Sequence, residues 1–275
     1  MWRYRKHSDA GPRISSLATD LLHGLFNLIF PPKCAACGTL FHLPPDRDIY
    51  TEKIQTLSGG EILSPVLCPD CRKDVTSPEK PVYGSQLMPP RRFRIAWSCG
   101  LYQREGALGK IIRRYKYNRR LYLADPLGRL LFGAFLRRWR TRGMNCITPV
   151  PLHIRKMKER GFNQVWLMIR DWPRLAEQFG TDLGGGVICR ELLLRTRKTR
   201  PQAGLDRKRR ASNISGAFQL HAGADVRGKK ILLVDDVITT GATADECTRV
   251  LLAAGAEYVG VLTLARAGKT DDDGV

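Results

Sequence analysis

The pattern of apolar and polar positions changes character along the chain. From about residue 90 onward, short apolar runs alternate with longer stretches whose apolar residues recur every three or four positions. FRIAWSCGLY (93–102), CITPV (146–150), ILLV (231–234) and YVGVLTLA (258–265) predict strands. The last two are apolar throughout, as strands covered on both faces of a parallel sheet are. LGKIIRRYKY (108–117) puts Leu108, Ile111, Ile112 and Tyr115 on one helical face. DPLGRLLFGAFLRRW (125–139) does the same with Leu127, Leu130, Leu131 and Ala134. FNQVWLMIRDW (162–172) predicts a helix that Pro173 breaks. TADECTRVLLAAG predicts a helix between the last two strands, with Gly255 at its C-cap. Strand, helix, strand at that spacing is a βαβ unit, so the fold class is α/β with a mostly parallel sheet.

Ahead of residue 90 the pattern differs. Leu17, Leu21, Leu22, Leu25, Phe26 and Ile29 stand at helical spacing behind a basic start. The stretch contains His23 and Asn27, lacks a small-residue cleavage site and runs into PPKC, so a short amphipathic helix is expected rather than a signal peptide. No apolar run reaches the ~18–20 residues of a membrane span, and a cytoplasmic protein is expected. CAAC (34–37) and CPDC (68–71) are two CxxC knuckles. Each points two thiolates at one ion, so Cys34, Cys37, Cys68 and Cys71 predict a structural zinc site (Zn2+) in a small amino-terminal zinc-ribbon domain. The polar stretch between the knuckles, PPDRDIYTEKIQTLSGGE, reads as an excursion that loops out. Cys99, Cys146, Cys189 and Cys247 do not cluster and read as small core residues. The expected units are 1–90 (amino-terminal helix and zinc ribbon), 91–267 (α/β domain) and 268–275 (a polar, disordered tail).

Charge adds a partner class. Lys and Arg number 46 against 26 Asp and Glu, a formal net charge of +20. That balance suggests a polyanion, whether nucleic acid, polyphosphate or a phosphorylated small molecule. A soluble protein that simply uses Arg freely is the competing reading.

One stretch is chemically specific. ILLVDDVITTGAT (231–243) ends an apolar strand on Asp235 and Asp236 and continues into hydroxyls and one glycine before a helix. In an open parallel sheet ligands bind beyond the carboxyl ends of strands. Backbone amides of the loop, with Thr239, Thr240 and Thr243, suit a phosphate, and Gly241 lets the backbone approach it. The two carboxylates must then face hydroxyls or a metal ion beside that phosphate. A sugar diol carrying a 5′-phosphate satisfies both halves. No glycine-rich loop ending in GK[ST] is present, so this is not a Walker loop.

ILLVDDVITTGAT resembles the PRPP-binding signature of type I phosphoribosyltransferases, PRPP being 5-phosphoribosyl 1-pyrophosphate. The resemblance implies that Asp235 and Asp236 hold the ribose hydroxyls and take the catalytic role. It implies that Thr239, Thr240, Gly241, Ala242 and Thr243 bind the 5′-phosphate, and that Mg2+ bridges ribose and pyrophosphate. PVPLHIRKMKERGFNQ (149–164), RTRKTRPQAGLDRKRRASNISGAF (195–218), the CxxC pairs and Tyr-Lys-Tyr at 115–117 resemble the ComF family, over nearly the whole chain. That family is linked to competence and DNA utilisation, and the resemblance implies a zinc ribbon attached to a type I phosphoribosyltransferase-like domain. Competence or DNA-processing proteins become candidate partners.

Two further segments have a physical reading. The turn at Pro149 and Pro151, with Leu152, Arg155 and Lys156, suits a pyrophosphate. The Arg/Lys-dense stretch 195–210, with Arg197, Gln202 and Arg209, fits a mobile loop closing over a polyanion. A plain turn and a solvated charged loop are the competing readings. His153 reads as an exposed turn histidine. A hood selecting the acceptor is expected from the strands near 93–102 and 186–195. The 6-oxopurine enzymes carry a carboxylate where this chain has Thr239, which argues against that acceptor. Three functions stand: a phosphoribosyltransferase, with bases or nucleotides released from DNA as candidate acceptors; a non-catalytic PRPP-sensing accessory of DNA uptake that binds single-stranded DNA; and a general nucleic-acid binder. The intact signature argues against the third. Tyr115, Tyr117, Tyr122 and Trp139 are the aromatics placed to stack bases or to join the core.

Overall fold

The computed structural model describes residues 31–43, 53–87, 89–118, 120–197 and 214–267. The expected amino-terminal helix, the polar tail, Gln202 and Arg209 lie outside them. Eight strands are present among these residues: β1 (Val82–Tyr83), β2 (Ile95–Tyr102), β3 (Cys146–Pro149), β4 (Val187–Ile188), β5 (Leu193–Arg195), β6 (Phe218–Leu220), β7 (Lys230–Ile238) and β8 (Tyr258–Ala267). Six form one sheet in the order β1-β2-β8-β7-β3-β4, parallel except for β1. β5 and β6 make a separate antiparallel pair. The centre is β7 between β8 and β3, where Ile231 through Val234 are wholly buried.

The helices are α1 (Gly59–Ile62), α2 (Pro69–Lys73), α3 (Ala107–Tyr117), α4 (Ala124–Arg138), α5 (Ile154–Arg160), α6 (Gln164–Ile169), α7 (Trp172–Gln178) and α8 (Ala242–Ala253). α3, α4, α6 and α7 cover one face of the sheet, with Ile111, Leu127, Leu130, Phe132 and Trp172 in its core. α8 and the β5–β6 pair cover the other. α8 ends as expected: Gly255 takes φ +94°, and its amide donates to Leu252 O. Pro173 sits in the first turn of α7, where its missing N–H is not needed, so it starts a new helix after α6.

Several expectations change here. The stretch between the knuckles does not loop out entirely. Its second part is packed, with Ile54 and Leu57 buried and a capping box at Ser58 and Glu61 opening α1. The segment around the four cysteines shares one continuous core with α3 and α4, including Cys34, Ile62, Leu67, Ile111 and Leu130. β1, which lies within the first 90 residues, is hydrogen-bonded into the large sheet. The strands expected to build a hood do not form one unit. β2 is inside the sheet, β4 is its far edge, and β5 belongs to the separate pair. Cys99 and Cys247 are buried core thiols. Cys146 and Cys189 instead lie side by side, because pairing of β3 with β4 brings their Cα atoms to 6.1 Å, and Cys189 is only partly buried.

Candidate functional site

The carboxyl ends of β7 and β3 open onto a cavity of about 640 Å³. Asp235, Asp236, Thr239 and Thr243 line it from β7 and the following turn, and Pro151, Leu152 and Lys156 from the turn after β3. The site follows from the register. β3 pairs with β7 through Pro149–Val234, and the amide of Val150 donates to Val234 O at 2.8 Å, so β7 carries Asp235 and Asp236 just past the end of β3. The turn after β3 is tied down by Asn163, whose Nδ2 donates to Val150 O and whose Oδ1 accepts the amides of Val165 and Trp166 at the start of α6.

The acidic pair is held from several sides. Lys116, in the last turn of α3, places its ammonium 2.7 Å from one oxygen of Asp236. Gln164, at the start of α6, donates to the other at 2.9 Å. The Tyr115 hydroxyl donates to the Gln164 carbonyl and locks α3 to α6. Asp235 accepts the amide of Asp236 at 2.8 Å. Burial pushes the Asp235 carboxyl up to about 7, and the adjacent Asp236 charge adds to the rise. Burial also opposes ionisation of Asp236, but Lys116 and Gln164 outweigh it and hold that carboxyl below its ordinary value. Removing one partner of a buried pair costs about 3–5 kcal/mol at full burial. The cost is smaller here, since the Lys116 and Asp236 side chains keep 18% and 11% exposure.

Around the pair the cavity is basic. Arg104, Arg113, Lys116, Lys156, Arg160 and Arg195 line it against only two carboxylates. Burial depresses the Lys156 ammonium, and the charges of Arg195, Arg160 and Lys116 depress it further. Such a cluster suits an anionic ligand that offers hydroxyls to Asp235 and Asp236.

The turn after β7 forms a smaller cup of about 30 Å³, lined in part by Thr239, Gly241, Ala242 and Thr243. Gly241 takes φ +72° as the N-cap of α8, and an added Cβ would meet the Phe93 ring at 3.2 Å. Arg91 clamps the turn by donating to Thr240 O at 3.0 Å. The Thr240 hydroxyl is buried without a hydrogen-bond partner. A buried orphan hydroxyl at a helix start fits a phosphate acceptor.

The other expected residues are distributed unevenly. Arg155 is exposed and not among the residues lining the cavity, and its amide is taken by the His153 ring at 3.2 Å. His153 is therefore not an exposed turn residue. It is buried as the N-cap of α5. Arg197 is exposed, but its guanidinium donates to Ser215 O. Lys116, Arg160, Gln164 and Arg195 were not expected in the site. The signal for Lys116 was present, as a lone cation between two tyrosines where the apolar stripe of α3 runs out. Tyr115 and Trp139 are core, while Tyr117 and Tyr122 are 69% and 55% exposed.

The four knuckle sulfurs lie within 4.8 Å of one another, an arrangement that can hold a metal ion. The Cys37 and Cys68 sulfurs are 3.7 Å apart. The Thr39 hydroxyl, 3.3 Å from the Cys37 sulfur, draws that thiol down to about 6. Among the described residues no helix is long and apolar enough to cross a membrane.

Comparison with known proteins agrees with this architecture. Residues 174–273 match the phosphoribosyl transferase domain, so the chain carries a domain of that class. It is 33% identical over 206 residues to DNA utilization protein YhgH of Escherichia coli, covering 73% of this chain and 84% of that one. It is 32% identical over 164 residues to competence protein F of Haemophilus influenzae, covering 58% and 68%. The chain belongs to the ComF family of competence and DNA utilisation proteins. Among solved structures, the allosteric regulatory enzyme of purine biosynthesis aligns at 20% identity over 55% of this chain and 30% of that one, with a TM-score of 0.33, too loose to bear on the site.

Asp235 generates a pH dependence. Between about pH 4 and about pH 7 the folded protein keeps a proton there that the unfolded chain has released, so stability from this group is lost as pH rises through the window. Asp235→Asn removes that loss. The melting temperature of the variant, minus that of the parent, should climb from about pH 4 to about pH 7 and then level off. A constant difference across the range would show that Asp235 ionises normally.

Proposed function

We propose that the chain binds PRPP with Mg2+ at the carboxyl end of β7, as a phosphoribosyltransferase-type protein serving DNA uptake or utilisation and nucleotide metabolism. The observation that carries the reading is the joint placement of Asp235 and Asp236, the Thr239–Thr243 turn and a cluster of cations on one cavity. The carboxylates suit the ribose diol, the turn with Thr239, Gly241, Ala242 and Thr243 suits the 5′-phosphate, and Lys156 and Arg160 suit the pyrophosphate. Two hard oxygen donors fit Mg2+, which keeps water and ligand oxygens in its shell. When bound, the ion would offset charge on the pyrophosphate as it leaves. The protein groups would then hold the ribosyl moiety and stabilise charge at its anomeric carbon. A panel of bases and nucleotides, scored for pyrophosphate release, reads out whether transfer occurs.

Mg-PRPP should raise the melting temperature in proportion to ln(1 + [L]/Kd). Replacing Asp235 and Asp236 together with Asn should abolish the shift, and Thr240→Val should reduce it. Calorimetry showing undiminished Mg-PRPP affinity in the Asn pair would sink the assignment.

The four cysteines support a structural zinc ion in a zinc-ribbon unit. A tetrahedral zinc with four thiolates at 2.3 Å sets neighbouring sulfurs about 3.8 Å apart, and the Cys37–Cys68 separation of 3.7 Å fits. Purified protein should carry about one zinc per chain, and metal analysis of a Cys34→Ser/Cys68→Ser variant should show it lost.

A second ligand is favoured by one feature. A groove of about 300 Å³ along α3 is lined by Lys110, Arg113, Arg114 and Tyr117, and it shares Arg113 and Tyr117 with the main cavity. Exposed tyrosine beside a basic groove suits single-stranded DNA, bound without regard to sequence. Affinity measured by polarisation should fall steeply with salt, and Tyr117→Ala should weaken it by about 1–3 kcal/mol. No binding at low salt would remove this ligand.

A further inference from the structure

Lys116 poses a problem for the site as read above. Both oxygens of Asp236 are engaged by the protein, one by Lys116 at 2.7 Å and one by Gln164 at 2.9 Å. Each oxygen keeps a second lone pair, but a diol that takes both oxygens from the cavity competes with the two donors already there, and the more mobile one yields first. Gln164 is poorly placed to do so. It is 3% exposed, it opens α6, and its backbone carbonyl is pinned by Tyr115. Lys116 has a four-carbon stem and a compact ammonium with rotatable donors, and it lines the open cavity.

The ammonium then needs a new partner, because the same wall carries Lys156, Arg160 and Arg195. Asp235 is the one other carboxylate lining the cavity, and the ribose would take it as well. A monophosphate held in the cup beside Thr240 leaves the cations near Leu152 and Lys156 facing one another. A second anionic group on the anomeric carbon relieves that repulsion.

We propose that Lys116 is an exchangeable counter-ion that neutralises Asp236 until a ribose diol takes the carboxylate, then moves onto the ligand's pyrophosphate. It thereby selects a ribose that carries both phosphate and pyrophosphate over ribose 5-phosphate. The inference rests on the PRPP reading and names a residue that determines specificity within it. Charge would be conserved at each stage: an ion pair within the protein is traded for one with the ligand, and no covalent bond changes.

The test is calorimetric titration of the full chain, with Mg2+, using PRPP and ribose 5-phosphate as separate ligands. Lys116→Gln keeps a donor facing Asp236 and so limits any folding defect, which a thermal melt checks. Lys116→Arg keeps the charge. A lost charge-assisted contact corresponds to about 10–100-fold in affinity. Lys116→Gln should weaken PRPP by that factor while leaving ribose 5-phosphate unchanged or tighter, since its competitor for Asp236 is gone. Lys116→Arg should recover most of the PRPP affinity. Equal weakening of both ligands would assign Lys116 a merely structural role and overturn the exchange, as would no change for either. If the parent itself binds no Mg-PRPP, the site reading fails and takes the exchange with it. If the parent binds and the ratio between ligands does not move in Lys116→Gln, the exchange alone fails.

Discussion

Two carboxylates at the end of a buried strand must be matched by positive charge, and much of the site follows from that requirement. Asp236 sits at 7% exposure on the central strand, where an unpaired charge would be expensive. Its match is assembled from two helices distant in sequence, α3 with Lys116 and α6 with Gln164. The Tyr115 hydroxyl fastens those helices to each other. The neutralising groups are thus built into the packing of the sheet's helical face, and the same face carries the large apolar core.

The turn after β7 solves a different problem by similar means. A backbone that must approach an anion needs a left-handed residue and exposed amides, and Gly241 provides the first at φ +72°. The turn is braced from behind. Arg91 holds Thr240 O, and Asp245 in the first turn of α8 accepts the Arg92 amide at 2.6 Å and its guanidinium at 2.9 Å. These arginines precede β2, so the segment leading into the strand paired with β8 also orders the turn after β7.

Much of this was legible in the sequence because it depends on local chemistry. Apolar runs marked β7 and β8, helical spacing marked α3 and α4, and the acidic pair followed by hydroxyls marked a ligand site at a strand end. Paired CxxC spacing marked the cysteine cluster that the fold does bring together. What was not legible depends on partners far apart in the chain. Lys116 becomes a site residue only when α3 packs beside β7. Arg195 enters through a short strand whose pairing with β6 no local pattern announces. His153 read as exposed because a turn is usually solvated, whereas its ring caps α5 and is buried by doing so. The nearness of Cys146 to Cys189 likewise required knowing that β4 lies beside β3.

The last turn of α3 also has two different neighbours. The Arg114 guanidinium donates to the carbonyl of Ala35, inside the first cysteine knuckle, and Lys116 two residues later holds Asp236. The helix is a rod of eleven residues, about 16 Å long. Both grips fall in its last turn. The stretch of backbone that carries the lysine is therefore tethered to the cysteine knuckle beside it, and a displacement of the knuckle would be passed to the lysine over two residues.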